Sequence, residues 1–154
     1  PLPITGHKQR IVNKNDLVCL IVNCRSTKNK TIEFASLLET TKPHLVLGTE
    51  SWLDNTIIKS ESLTSDYVTY RKDRSVHGGG VFVLIHNSLS SVSVNVNCNI
   101  CETVWCKVML RDGSSVAFGS FYRPPGSNTA QPLLQLSNRP FVPRSNTHRS
   151  CRRL

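Results

Sequence analysis

An α/β fold built on a mixed β-sheet is what this sequence predicts, and two patterns predict it. The first is a strand–helix–strand unit between residues 16 and 50. The second is a succession of short alternating segments from residue 67 to residue 122, parted by turn residues. Strands joined through a helical crossover pair in parallel, and strands joined by tight turns pair antiparallel. Together the two patterns give a mixed sheet with helix packed against it. With 154 residues, the chain can bury one sizeable core and not comfortably two.

Each element has its own signal. Asp16 to Asn23 reads DLVCLIVN, a continuous apolar run suited to a strand buried on both faces. Residues 28–42 follow as KNKTIEFASLLETTK, with Ile32, Phe34 or Ala35, and Leu38 at helical spacing and Pro43 as the stop. His44 to Glu50, HLVLGTE, is the second buried strand. Five short strands are then predicted at Tyr67–Asp73, Gly80–Asn87, Ser91–Asn97, Thr103–Leu110 and Ser115–Tyr122. Turn chemistry separates them at Gly78-Gly79-Gly80, Asn87-Ser88, Asn97–Asn99 and Asp112-Gly113, the last a strong hairpin signal.

The order ends at residue 124. Residues 124–154 hold five of the eight prolines, no acidic residue and no sustained period, and read as a basic, largely disordered tail. Charge divides the same way. Residues 1–122 carry 13 Lys and Arg against 10 Asp and Glu, whereas residues 123–154 carry six Arg and no acid. Most of the net charge of +9 therefore sits in the last fifth of the chain, where it favours any polyanion without specifying one. Residues 1–14 form a polar lead. No apolar run reaches bilayer length and no basic-then-apolar leader is present. The start on Pro1 suits a processed or fragmentary chain. An intracellular location, nuclear or cytoplasmic, with no membrane partner is expected.

Six cysteines stand at 19, 24, 98, 101, 106 and 151. Without a leader the reducing compartment is the default and disulfides are not expected. Cys98, Cys101 and Cys106 have a spacing that zinc could use. No second pair lies at finger spacing, however, and the surrounding VNVNCNICETVWCKVML alternates like paired strands, so strand or turn cysteines are the favoured reading.

Candidate chemistry gathers at strand ends. Asn23 closes the first strand and Glu50 the second, and parallel strands of a βαβ unit carry their carboxyl ends side by side, where open α/β sheets place their sites. A carboxamide beside a carboxylate supplies hard oxygen ligands of the type Mg2+ or Mn2+ accepts. From position alone, two residues that cap or solvate loops explain the same pattern. Tyr122 and Arg123 end the last strand, where phenol and guanidinium can donate to phosphate; an aromatic closing the core beside a solvated arginine is the plainer alternative. Arg25, Arg71, Lys72 and Arg74 read individually as solvated charges, and the Gly78–Gly80 run as a tight turn into a strand.

In order along the chain, LIVNCRSTKNKTIEFASLLETTKPHLVLGTESWLDNTI, YVTYRKDRSVHGGGVFVLI, ETVWCKVML and GSFYRPPGS resemble the endonuclease/exonuclease/phosphatase superfamily. The likeness is strongest to the apurinic-type endonuclease domains of non-LTR (LINE-type) retrotransposons. It spans residues 15–127 and rests on the ordered set N-x-R-S, T-E-S-W-L, R-K-D-R with G-G-G-V, and F-Y-R-P-P. The resemblance implies a DNase-I-like four-layer fold, two mixed sheets face to face with flanking helices, with residues 15–123 as a partial domain whose C-terminal half is missing. It implies that Asn23 and Glu50 act at the active site and hold Mg2+ (or Mn2+), and that Tyr122 bonds near the scissile phosphate. Arg25, Arg71, Arg74 and Arg123 fall at motif positions near DNA, the implied partner, with no small-molecule cofactor. In such enzymes water attacks a metal-polarised phosphate in line, releasing a 3′-hydroxyl that primes reverse transcription.

This sequence departs from the family after Gly126-Ser127. The family's Gly-Asp-Phe-Asn segment and its later Asp-His pair are absent, and a tail without Asp or Glu cannot supply those carboxylates. The expectation is a truncated phosphodiesterase domain, inactive as this chain, with the inner face of its first sheet left without a partner. The alternative is a non-catalytic nucleic-acid-binding protein that uses its Arg-rich tail.

Overall fold

The computed structural model describes residues 16–27, 30–53, 65–75, 77–96, 98 and 101–123. The readings of residues 1–14 as a polar lead and 124–154 as a basic tail lie outside them. The described residues form strands β1 (Cys19–Asn23), β2 (Leu45–Thr49), β3 (Tyr67–Lys72), β4 (Val81–His86), β5 (Ser91–Val94), β6 (Glu102–Met109) and β7 (Ser115–Tyr122), with one helix, α1 (Thr31–Thr41).

The expected βαβ unit is present. β1 and β2 pair in parallel, with Cys19 against Leu45 and Asn23 against Thr49. β4 then pairs antiparallel with both β2 and β3, giving a mixed sheet of order β1-β2-β4-β3. A second, antiparallel sheet has the order β5-β6-β7. The β6–β7 hairpin turns at the expected Asp112-Gly113, where Gly113 takes φ 79° and Leu110 N–H bonds Ser114 C=O at 2.8 Å.

Alternation decides what each face of the first sheet meets. Leu20, Val22, Val46, Phe82 and Leu84 face α1 and pack on its Phe34 and Leu38. The Phe34 and Phe82 rings meet edge to face, centroids 6.0 Å apart. Leu45, Val83 and Ile85 face the other way, onto Cys106 and Val108 of the second sheet. Both faces of the central strands are thus covered, which is why β4 reads as an unbroken apolar run, Val81 to Ile85. Gly48 lies under the Phe82 ring, and a Cβ there would stand 2.0 Å from Phe82 Cζ.

Two expectations are corrected. Ile32 is 83% exposed and Ala35 is exposed, because the buried stripe of α1 runs through Phe34 and Leu38, one turn apart, and Ile32 falls on the opposite side. The helix ends as expected before Pro43, with Lys42 left-handed at φ 42° and its N–H bonded to Leu38 C=O. The inner face of the first sheet is also not bare, since β6 and β7 lie across β2, β3 and β4. Among the described residues, Val92, Met109 and Phe121 are exposed on the outer face of the second sheet.

Candidate functional site

The parallel ladder does not stop where β1 and β2 end. Cys24 N–H bonds Thr49 C=O at 2.9 Å, Ser26 N–H bonds Glu50 C=O at 3.0 Å, and Thr27 N–H bonds Ser51 C=O at 3.0 Å. The two strand-end loops therefore travel together, and this fixes Asn23, Arg25 and Glu50 at one rim. The backbone pays a conformational cost for that course. Arg25 (φ 45°), Ser26 (φ 83°), Glu50 (φ 55°) and Trp52 (φ 54°) are four of the five non-glycine residues with positive φ among the described residues. Side chains rarely adopt this region, and residues held there concentrate at sites of function.

A second segment braces the same loop. Ser51 N–H and Trp52 N–H reach Gly80 C=O and Gly79 C=O at 3.4 and 3.1 Å. Gly79 and Gly80 have φ 75° and 85°, and a Cβ on Gly80 would lie 2.3 Å from Ser51 Oγ, so this turn into β4 requires glycine. Gly80 N–H donates to Glu102 Oε2 at 2.6 Å, while Arg74 Nε lies 3.4 Å from Glu102 Oε1. Glu102 opens β6 and pairs with Tyr122 at the end of β7. Ser120 Oγ, two residues before Tyr122 on the same face of β7, donates to Gly48 C=O at 2.7 Å. The two sheets thus meet at the rim that carries Glu50.

The sequence-expected residues fall into two groups. Asn23 is exposed and Glu50 half-buried at the joined ends of β1 and β2, with Arg25 exposed beside them. Tyr122, half-buried, and Arg74 join this rim through Glu102, and Arg123 follows Tyr122 at the surface. Arg71 differs from the rest. Its side chain is only 7% exposed and its Nε lies 3.2 Å from Asp73 Oδ2, so it braces the end of β3 rather than offering a surface cation.

Electrostatics tie Glu50 to its surroundings. Burial pushes the Cys24 thiol up to about 12; Lys30 pulls it back, and the negative charge of Glu50 adds to the rise. Two buried polar atoms of the rim loop, Ser51 Oγ and Trp52 Nε1, make no hydrogen bond among the described residues. Among those residues no group of three His, Cys, Asp or Glu side chains converges as a metal cage. Among the described residues, Glu50 supplies a carboxylate and Asn23 a carboxamide at the rim, Glu102 being committed to Gly80 and Arg74.

Sequence reasoning missed Glu102, although the signal was there. Counting back from a three-residue loop, Arg111-Asp112-Gly113 with the left-handed Gly113 last, sets Glu102 against Tyr122, whereas a two-residue Asp112-Gly113 turn would set it against Arg123. The cysteine reading holds for Cys106, which is fully buried between the sheets. A half-open cavity of about 500 Å3 lies at the other end of β2, lined by Leu38, Lys42, His44, Tyr67 and His86 among others. There His44 Nδ1 accepts from Val18 N–H and His86 Nδ1 from Ser88 N–H. No described helix is long and apolar enough to cross a membrane.

No protein-family model matches the chain, and no curated protein matches it.

Proposed function

We propose that residues 16–123 form the metal- and phosphate-binding part of an endonuclease/exonuclease/phosphatase-type site, related to LINE-type apurinic endonuclease domains, and that this chain engages DNA phosphate without turnover. The observation that carries this reading is the strained rim, where Glu50 and Trp52 are held left-handed beside the end of β1 and buttressed by the Gly79-Gly80 turn. A fold that sustains such backbone at one strand end is holding a side chain in a fixed place.

The donor set fits a hard divalent cation in part. Mg2+ takes one or two protein oxygens and fills its octahedron with water and substrate phosphate. Glu50 carboxylate and Asn23 carboxamide would be those oxygens. When bound, the ion polarises a phosphate and stabilises charge on it. Tyr122 and Arg74, brought to the rim by Glu102, would donate to phosphate oxygens and orient the backbone. Arg71 serves instead to fix β3. The chain offers no counterpart of the Gly-Asp-Phe-Asn and Asp-His segments, so water activation and leaving-group protonation lack their residues; groups that act as a unit lose nearly all rate when one is missing. The full DNase-I-like sandwich would add a helical layer over the open outer face of the second sheet.

The test uses Mn2+ as a paramagnetic probe with a short DNA duplex. Amide signals of residues 23–25, 50–52 and 122 are expected to broaden, and Glu50→Ala to abolish the effect. Broadening elsewhere, or unchanged in the variant, overturns the site. Nicking of supercoiled plasmid is expected to stay at background; nicking that disappears in Glu50→Ala would establish a competent nuclease instead.

A further inference from the structure

Cys98 and Cys101 stand immediately before β6, outside the rim site, with their sulfur atoms 2.9 Å apart. Both are thiols. Cys98 is half-buried and Cys101 buried, so Cys98 is the more accessible of the two. The remaining described cysteines are placed differently: Cys106 is sealed between the sheets, Cys24 is 3% exposed against α1, and Cys19 lies on β1. A sulfur–sulfur bond is ~2.05 Å long, so closure here needs the sulfur atoms to approach by on the order of 1 Å.

We propose that Cys98 and Cys101 form an oxidisable dithiol, a thiol–disulfide exchange site whose co-reactant is a small-molecule disulfide such as oxidised glutathione. The Cys98 thiolate attacks one sulfur of that disulfide, forming a mixed disulfide and releasing one thiol. The Cys101 thiolate then attacks Cys98 Sγ, closing the intrachain bond and expelling the second thiol. Both protein thiols lose a proton, and the two electrons they give up reduce the small disulfide to two thiols. The order follows from access, because Cys98 is the more exposed residue of the pair. This site is independent of the nuclease reading. Its bond would form next to Glu102, whose carboxylate holds Gly80 N–H.

The experiment exposes the reduced full chain to oxidised glutathione, quenches with acid, alkylates the remaining thiols and maps the products by mass spectrometry. Wild type is expected to lose two hydrogens, retain no glutathione, and show Cys98 joined to Cys101. Cys101→Ser, which removes the resolving thiol, is expected to trap one glutathione on Cys98. In urea, exchange is expected to slow at this pair and scatter among the six cysteines. Wild-type protein that keeps glutathione on Cys98, leaves both thiols alkylated, or joins other cysteines overturns the proposal, and that measurement needs no variant to fold.

Discussion

At the scale of single residues, the rim is where the chain departs most from relaxed geometry, and substitutions there separate strain from chemistry. Gly80 has φ 85° with Ser51 Oγ 2.3 Å from the position of a Cβ. Gly80→Ala is expected to lower the free energy of unfolding by about 1–3 kcal/mol, read as a lower urea midpoint with unchanged slope. Wild-type stability in Gly80→Ala would show that the turn is not held as described. The buried thiols give a second residue-scale prediction. Cys24, Cys101 and Cys106 are raised from 9.0 to about 12, 11 and 11, chiefly by burial. Below pH 9 these thiols are protonated whether the chain is folded or not, so their contribution is fully present. Above pH 9 the unfolded chain releases protons that the folded chain keeps, and stability falls as pH rises toward the folded values. Each such thiol contributes a slope of up to about 1.4 kcal/mol per pH unit. Denaturation at pH 8, 9 and 10 checks this, and Cys24→Ala should flatten the decline; equal stability across that range would contradict the burial.

At the scale of elements, α1 is anchored by two buried side chains, Phe34 and Leu38, with Leu37 packed partly beside them. Phe34→Ala or Leu38→Ala is expected to cost about 2–5 kcal/mol, whereas Ile32→Ala should change stability by no more than about 0.5 kcal/mol. Chemical denaturation of the three variants decides it, and a costly Ile32→Ala would place the helix the other way round. This element also shows what the sequence could tell. The strands were legible because buried runs such as VFVLI and turns such as Asp112-Gly113 are local signals, and so was the neighbouring of Asn23 and Glu50, which follows from any parallel βαβ unit. The buried stripe of α1 was not, since Ile32, Phe34, Ala35 and Leu38 fit helical spacing in more than one way and only the partner sheet selects Phe34 and Leu38. Nor was the inward turn of Arg71, which depends on Asp73 and on its surroundings. The left-handed Glu50 and Trp52 left no trace in composition, because glycine, the usual mark of such backbone, is absent at both positions. Long-range contacts impose what local pattern cannot announce.

At the scale of the whole molecule, the described residues form three layers, α1 and the two sheets, with apolar side chains exposed on one outer face. On the outer face of the second sheet Val92, Met109 and Phe121 are 54%, 43% and 49% exposed. Strand β7 lies at the edge of that sheet, and among the described residues β6 is its one strand partner. Its sequence, SVAFGSFY, contains no charge and no proline. Edge strands of soluble proteins are usually guarded by charges, prolines or bulges, because a bare edge offers a row of backbone donors and acceptors to any strand that arrives. An unguarded edge beside an apolar face should therefore recruit a second copy of the chain. The sedimentation coefficient is expected to rise with protein concentration and to persist in high salt, since backbone pairing and apolar contact, unlike charge pairing, are not screened. Phe121→Lys sets a charge on that face at the edge and should leave the sedimentation coefficient flat over the same concentrations, with unchanged circular dichroism. If wild type and Phe121→Lys associate equally, the contact lies elsewhere; if neither associates, β7 is covered by another part of the chain.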